Sequence, residues 1–168
     1  MIVKGIVVKF GDNIDTDIII PGRYLVYTDP VKLGEHAMEG IDPNFPEKAK
    51  KGIIIVAGKN FGCGSSREQA PIALKSAGVK CILAESFARI FFRNSINVGL
   101  PVLECKGVSR HIGNSNLVNV TLETGRIEVV SKKIFLQGTR LPKFILEILS
   151  DGGLIKHLKK RRNLNETL

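Results

Sequence analysis

Between residues 53 and 104 the chain alternates strand-length apolar runs with helical patterns, and few folds tolerate that alternation. Ile53-Ile54-Ile55-Val56-Ala57 is an apolar run of strand length, closed by Gly58-Lys59. Ala70, Ile72, Ala73 and Leu74 then recur at helical spacing, which predicts a helix over 67–77 with Gly78 as its stop. A second strand is expected over 79–84. Ser86 is a candidate cap for a helix through Ala88, Ile90, Phe91 and Phe92, ended by Asn97 and Gly99. A third strand follows over 100–104, with Pro101 at its start. Strands separated by single helices call for a parallel α/β layer.

The flanks add other elements. Residues 2–10 predict a first strand, turned by Gly11-Asp12-Asn13. Asp29-Pro30 reads as a helix cap followed by proline at the first helical position, with the helix running to about Met38 and stopping at Gly40. Residues 44–50 read as a short helical or irregular connection. Alternation over 117–122, the turn Glu123-Thr124-Gly125 and a strand over 126–130 predict an antiparallel hairpin. Residues 141–149 are helical, Asp151-Gly152-Gly153 breaks the pattern, and 154–160 form a last short helix. The expected fold is therefore α/β, a mixed parallel and antiparallel sheet core flanked by helices. At 168 residues the chain fits a single domain over 1–168, with a short basic tail at 161–168 expected to fray.

A formal net charge of +9 makes an anionic substrate, an acidic partner subunit or nucleic acid admissible. Only 6% of residues are aromatic and tryptophan is absent, which argues against an RNA-binding module built on stacking. Cys63, Cys81 and Cys105 have neither CxxC nor zinc-like spacing, so this chain is expected to bind no metal or cofactor of its own. No apolar run approaches membrane-spanning length and no signal-peptide pattern opens the chain, so the expected location is cytoplasmic.

The densest chemistry lies in Gly62-Cys63-Gly64-Ser65-Ser66-Arg67-Glu68, between the first strand of the parallel run and its helix. Ser65 with Glu68, or Ser66 with Gln69, has the spacing of a capping box, and one hydroxyl would suffice for that. Two hydroxyls followed by an arginine exceed a cap. Arginine in a first helical turn opposes the helix dipole unless an anion shares the site, and its fork matches a carboxylate. The segment lacks the lysine of a phosphate-binding P-loop, the third glycine of a dinucleotide fingerprint and the closing glycine of a hydrolase elbow. His36, His111 and His157 all lie away from it. Asp15 and Asp17 lie two apart; they either share a face of an extended segment or accept turn N–H groups.

Three blocks carry a resemblance over nearly the whole chain: Gly11-Asp12-Asn13-Ile14-Asp15-Thr16-Asp17-Ile18-Ile19-Ile20-Pro21; Ala57-Gly58-Lys59-Asn60-Phe61-Gly62-Cys63-Gly64-Ser65-Ser66-Arg67-Glu68-Gln69-Ala70; and Ser86-Phe87-Ala88-Arg89-Ile90-Phe91-Phe92-Arg93-Asn94 with Asn97-Val98-Gly99-Leu100. The chain resembles the small subunits of the aconitase-like hydro-lyases, in their isopropylmalate dehydratase branch. The resemblance implies a swivelling β/β/α domain detached as a subunit. It also implies a large partner subunit carrying a [4Fe–4S] cluster, a dicarboxylate substrate, and isomerisation of isopropylmalate by dehydration and rehydration in leucine biosynthesis. Carried over by motif, Ser65 looks like the base, Asp17 like the acid paired with it, and Ser66 and Arg67 like carboxylate-binding groups. Thr16 lines the same turn. Arg89 and Arg93 either orient their helix or meet the partner.

The same resemblance places substrate choice in Tyr24-Leu25-Val26-Tyr27-Thr28. Homoaconitases look like Tyr-Leu-Arg-Thr there, with an arginine for the extra carboxylate, and Val26 stands in that arginine's place. An apolar side chain suits an isopropyl arm, leaves an extra carboxylate unpaired, and discriminates weakly against a methyl arm. A citramalate-type, methylmalate-type or homoaconitate hydro-lyase is the alternative within the same class. Leu25 and Val26 as plain apolar loop anchors is the structural alternative.

Overall fold

The structure, a computed structural model, describes residues 1–165. Its strands are β1 (Ile2–Lys9), β2 (Ile53–Ala57), β3 (Val79–Ala84), β4 (Val102–Glu104), β5 (Leu117–Thr121), β6 (Arg126–Val129) and β7 (Ile134–Gln137). They form one mixed sheet in the order β4-β3-β2-β1-β5-β6-β7. β1 pairs parallel with β2, β2 with β3 and β3 with β4; the pairs from β1 to β5, β6 and β7 are antiparallel. β1 is thus the seam between the two halves.

The two halves have different sequence patterns because they are covered differently. All five residues of β2 are buried, as befits a parallel strand with both faces packed. In β5 only Val118 and Val120 are buried, one face of an alternating strand. The helices are α1 (Thr16–Ile19), α2 (Pro30–Glu35), α3 (Phe45–Ala49), α4 (Gln69–Ala77), α5 (Arg89–Val98), α6 (Val108–His111), α7 (Lys143–Ser150) and α8 (Leu154–Asn165). α4 carries the chain from β2 to β3 and α5 from β3 to β4. α2 packs across α4, closely enough that a Cβ on Gly34 would stand 2.9 Å from the backbone nitrogen of Ala77.

Several boundaries differ from the sequence expectation. Asp29 caps α2 as expected, its carboxylate accepting from the Val31 N–H at 2.9 Å. The helix nevertheless ends at Glu35, because Met38 turns to φ 59° and its N–H donates to the Ile19 carbonyl at 2.9 Å. α4 starts at Gln69, two residues late. Ser86 caps nothing: its hydroxyl accepts from the Asn60 N–H at 2.9 Å, and α5 starts at Arg89. β7 and α6 were not expected. β7 has four residues, and Phe135 on its outer face disguises the alternation; the Arg126 guanidinium covers that ring at 4.0 Å. α8 takes in Arg161 and Arg162, whereas 166–168, the end of the expected tail, lies outside the described residues.

Candidate active site

The loops that leave the carboxyl ends of β1, β2 and β3 lie side by side, where open α/β sheets place their ligand sites. The loop after β2 is stitched to both neighbours. On one side the Asn13 N–H donates to Lys59 C=O at 2.8 Å, Gly62 N–H to Ile14 C=O at 2.7 Å, and Thr16 N–H to Cys63 C=O at 2.8 Å. On the other, Phe61 N–H donates to Ser86 C=O and Ala88 N–H to Phe61 C=O, both at 3.0 Å. Isolated bridges between Asp15 and Cys63 and between Phe61 and Phe87 extend parallel pairing past the strand ends. Phe61 is fully buried, its ring edge-on to Phe91 at 5.3 Å.

Two glycines make that path feasible. Gly62 has φ +77° and a Cβ there would stand 2.1 Å from Cγ of Phe91. Gly64 has φ +89° and packs on Thr16. Gly62→Ala combines a left-handed backbone with a clash against a buried ring, and is expected to destabilise the chain by about 3 kcal/mol. Urea denaturation measures it, and an unchanged midpoint contradicts the packing argument.

Beyond Gly64 the chain emerges, and Ser65 and Ser66 are exposed. Neither hydroxyl has a hydrogen-bond partner among the described residues. Neither caps α4, because Glu68 occupies the cap position in a right-handed helical conformation and makes no side-chain cap. The capping alternative is thereby removed, and in the first turn of α4 the Ala70 N–H donates back to the Arg67 carbonyl at 3.3 Å while Pro71 has no N–H. Thr16 is 3% exposed and its hydroxyl donates to the Ser65 carbonyl at 3.0 Å, so it fixes the serine backbone from beneath.

The acids divide. Asp15 is the cap of α1, accepting from the Ile18 N–H at 2.8 Å, while Asp17 sits in the first turn, so they do not share an extended face. The Asp17 carboxylate is taken by the Arg67 guanidinium, which also donates to Ile20 C=O at 3.4 Å. No hydrogen bond joins Asp17 to Ser65 among the described residues. The Arg67 side chain is 17% exposed and that of Asp17 59%, so the guanidinium lies under an outward carboxylate.

The 24–28 segment comes shortly after Gly22, on which a Cβ would lie 3.9 Å from the Asp17 carboxylate. Its first residue, Tyr24, closes a single 3-10 turn, Gly22–Tyr24. Leu25 and Tyr27 pack against the core, whereas Thr28 is exposed and Val26 is 77% exposed, so Val26 anchors nothing within this chain. Arg89 and Arg93 are not brought to the serines. They stand with Arg140 on a groove of about 470 Å³ floored by Phe87, Phe92 and Ile145.

A family model of the aconitase C-terminal domain matches residues 3–107. The isopropylmalate/citramalate isomerase small subunit of Methanocaldococcus jannaschii is 58% identical over 160 residues, covering 95% of both chains. The 3-isopropylmalate dehydratase small subunit of Halothermothrix orenii is 57% identical, covering 95% of this chain and 96% of that one. The chain belongs to the 3-isopropylmalate dehydratase small-subunit family. Its architecture is that of the aconitase-like swivel domain: a crystal structure of 3-isopropylmalate dehydratase from Methanocaldococcus jannaschii superposes with a TM-score of 0.93 at 48% identity, over 99% of each chain.

All three cysteines are free thiols, Cys63 half-buried and Cys81 and Cys105 buried. Burial pushes the Cys81 thiol up to about 12 and the Cys105 thiol up to about 11, away from the thiolate form a cluster requires. Among the described residues no three His, Cys, Asp or Glu side chains gather where a metal could sit. No helix among them is long and apolar enough to cross a membrane. Sequence reasoning missed Glu39, which follows the short helix α2 and gathers three side chains from two segments; only its spacing from His36 hinted at it.

Proposed function

We propose that this chain supplies the carboxylate-binding and proton-handling half of a 3-isopropylmalate dehydratase site, as the small subunit of that hydro-lyase in leucine biosynthesis. One observation carries the reading: two exposed, unpartnered serine hydroxyls directly precede Arg67 in the chain, on a loop pinned from both sides, in a family of small subunits.

In the forward direction a proton leaves the carbon next to a carboxylate and the hydroxyl leaves the neighbouring carbon, giving an alkene. Readdition with the opposite placement completes the isomerisation. Arg67 and the Ser66 hydroxyl bind the substrate carboxylate. Ser65 Oγ takes the proton. A serine oxyanion needs positive surroundings, which the guanidinium of Arg67 and the α4 N-terminus provide. Thr16 holds the Ser65 backbone in register, and Asp17 orients the guanidinium until substrate replaces it. The large subunit, with the [4Fe–4S] cluster that the family resemblance gives it, supplies the Lewis acidity for the leaving hydroxyl.

Leu25, Val26, Tyr27 and Thr28 meet the variable arm. The exposed Val26 suits an isopropyl group, and Arg23, which precedes the loop, is already paired with Glu39. A second reading adds a methyl-armed acid to the substrates, because a relative of 58% identity carries both isopropylmalate and citramalate in its name. The chain alone is expected to be inactive. Co-expressed with a cluster-bearing large subunit, it is expected to turn over 2-isopropylmalate, more slowly citramalate, and homoaconitate least. Turnover by the isolated chain, or a complex that prefers homoaconitate, overturns the proposal.

A further inference from the structure

We propose that Glu39 is the positioning residue of the 24–28 loop, a clamp that sets how tightly the variable arm of the substrate is held. The inference rests on the reading of that loop given above. Three side chains converge on this one carboxylate. Oε1 accepts from the Tyr24 hydroxyl at 2.6 Å and from the Arg23 guanidinium, and Oε2 pairs with Nδ1 of His36 at 2.9 Å. A carboxylate only accepts, so His36 carries its proton on Nδ1. The side chain of Glu39 is 21% exposed. Burial raises its pKa, but hydrogen bonds from Tyr24, His36 and Arg23 outweigh that and hold it below the ordinary carboxylate value. Glu39 is therefore ionised at neutral pH, and its bonds are of the stronger, charge-assisted kind.

The rings complete the clamp. Tyr24 lies flat on His36, 3.7 Å between centroids and 5° between planes, and Tyr27 stacks beyond at 6.1 Å from His36. Glu39 itself is tied to the frame. It follows Met38, whose N–H is held by the carbonyl of Ile19 at the end of α1, the helix that carries Asp17. A path of direct contacts thus runs from the arginine pair through α1 and Glu39 to the loop. Val26 is presented outward between two residues, Tyr24 and Tyr27, that the clamp immobilises. Nothing in this path touches the reacting carbons, so loosening it changes how the arm is held more than how the proton moves.

The chain offers an unusually clean probe. Tyr24 and Tyr27 are its only tyrosines and it has no tryptophan, so intrinsic emission of the free chain reports this loop alone. A phenol hydrogen-bonded to a carboxylate is quenched, and Glu39→Gln is expected to raise the emission. In the complex with the large subunit, Glu39→Gln is expected to raise KM for 2-isopropylmalate about fivefold, to change kcat by less than about twofold, and to shrink the preference for isopropylmalate over citramalate about fivefold. Glu39→Asp keeps the charge and should recover part of that preference. Unaltered emission in Glu39→Gln refutes the clamp. Altered emission with an unaltered substrate ratio refutes its role in selectivity. If the wild-type complex converts none of these acids, the functional reading fails instead, and emission still decides whether the clamp exists.

Discussion

Ser65→Ala is expected to lower kcat of the assembled enzyme by roughly 10²- to 10⁴-fold, the range for losing a positioned acid–base group. Stability is expected to move by less than about 0.5 kcal/mol, as for an exposed side chain without special contacts. The separation follows from how the structure holds this residue. Thr16 grips the Ser65 carbonyl and not its hydroxyl, and the hydroxyl is exposed and unpartnered. Alanine therefore removes no native contact, and no cap is lost, since Glu68 stands at the start of α4. Urea denaturation of the free chain, titration of the large subunit and steady-state kinetics measure stability, subunit affinity and turnover separately. Unchanged turnover removes Ser65 from the chemistry. A parallel loss of stability or of subunit affinity assigns it a structural role.

The parallel half of the sheet was legible because β2 is buried on both faces and reads as an unbroken apolar run, and β3 departs from that only at the exposed Lys80. The hairpin of β5 and β6 was legible because its alternation is interrupted by Thr124-Gly125. β7 escaped because four residues give barely two alternations, and Phe135 breaks the polarity of its outer face. At the site, composition gave the residues but not their partners. Overlapping capping boxes pulled the expected start of α4 two residues early, whereas tertiary bonds with residues 12–16 and the left-handed Asn60, Gly62 and Gly64 keep 58–64 out of the helix and delay it. The extended reading of Asp15-Thr16-Asp17 failed because Asp15 bonds its own next turn and starts α1. The partner of Asp17 lies 50 residues away, and the donors to Glu39 come from both sides of α2, separations at which neither periodicity nor capping rules act.

The pairing of Asp17 with Arg67 yields the other large effect. Arg67→Ala is expected to reduce kcat/KM by about 10²- to 10³-fold, equivalent to about 2.7–4 kcal/mol of transition-state binding. Arg67→Lys should recover little of it, because an ammonium keeps the charge but lacks the planar fork that grips both carboxylate oxygens. Asp17→Asn is expected to lower kcat/KM by less than about tenfold. With its carboxylate 59% exposed, the pair is of the solvent-screened kind worth about 1 kcal/mol or less, so a substrate carboxylate displaces Asp17 cheaply. The double variant separates two roles for that acid. If Asp17 acts through the guanidinium it contacts, removing it from an Arg67→Ala enzyme changes nothing further, and the cycle is non-additive. If Asp17 instead handles the proton of Ser65, the two losses multiply, and the orienting role assigned to it here is wrong.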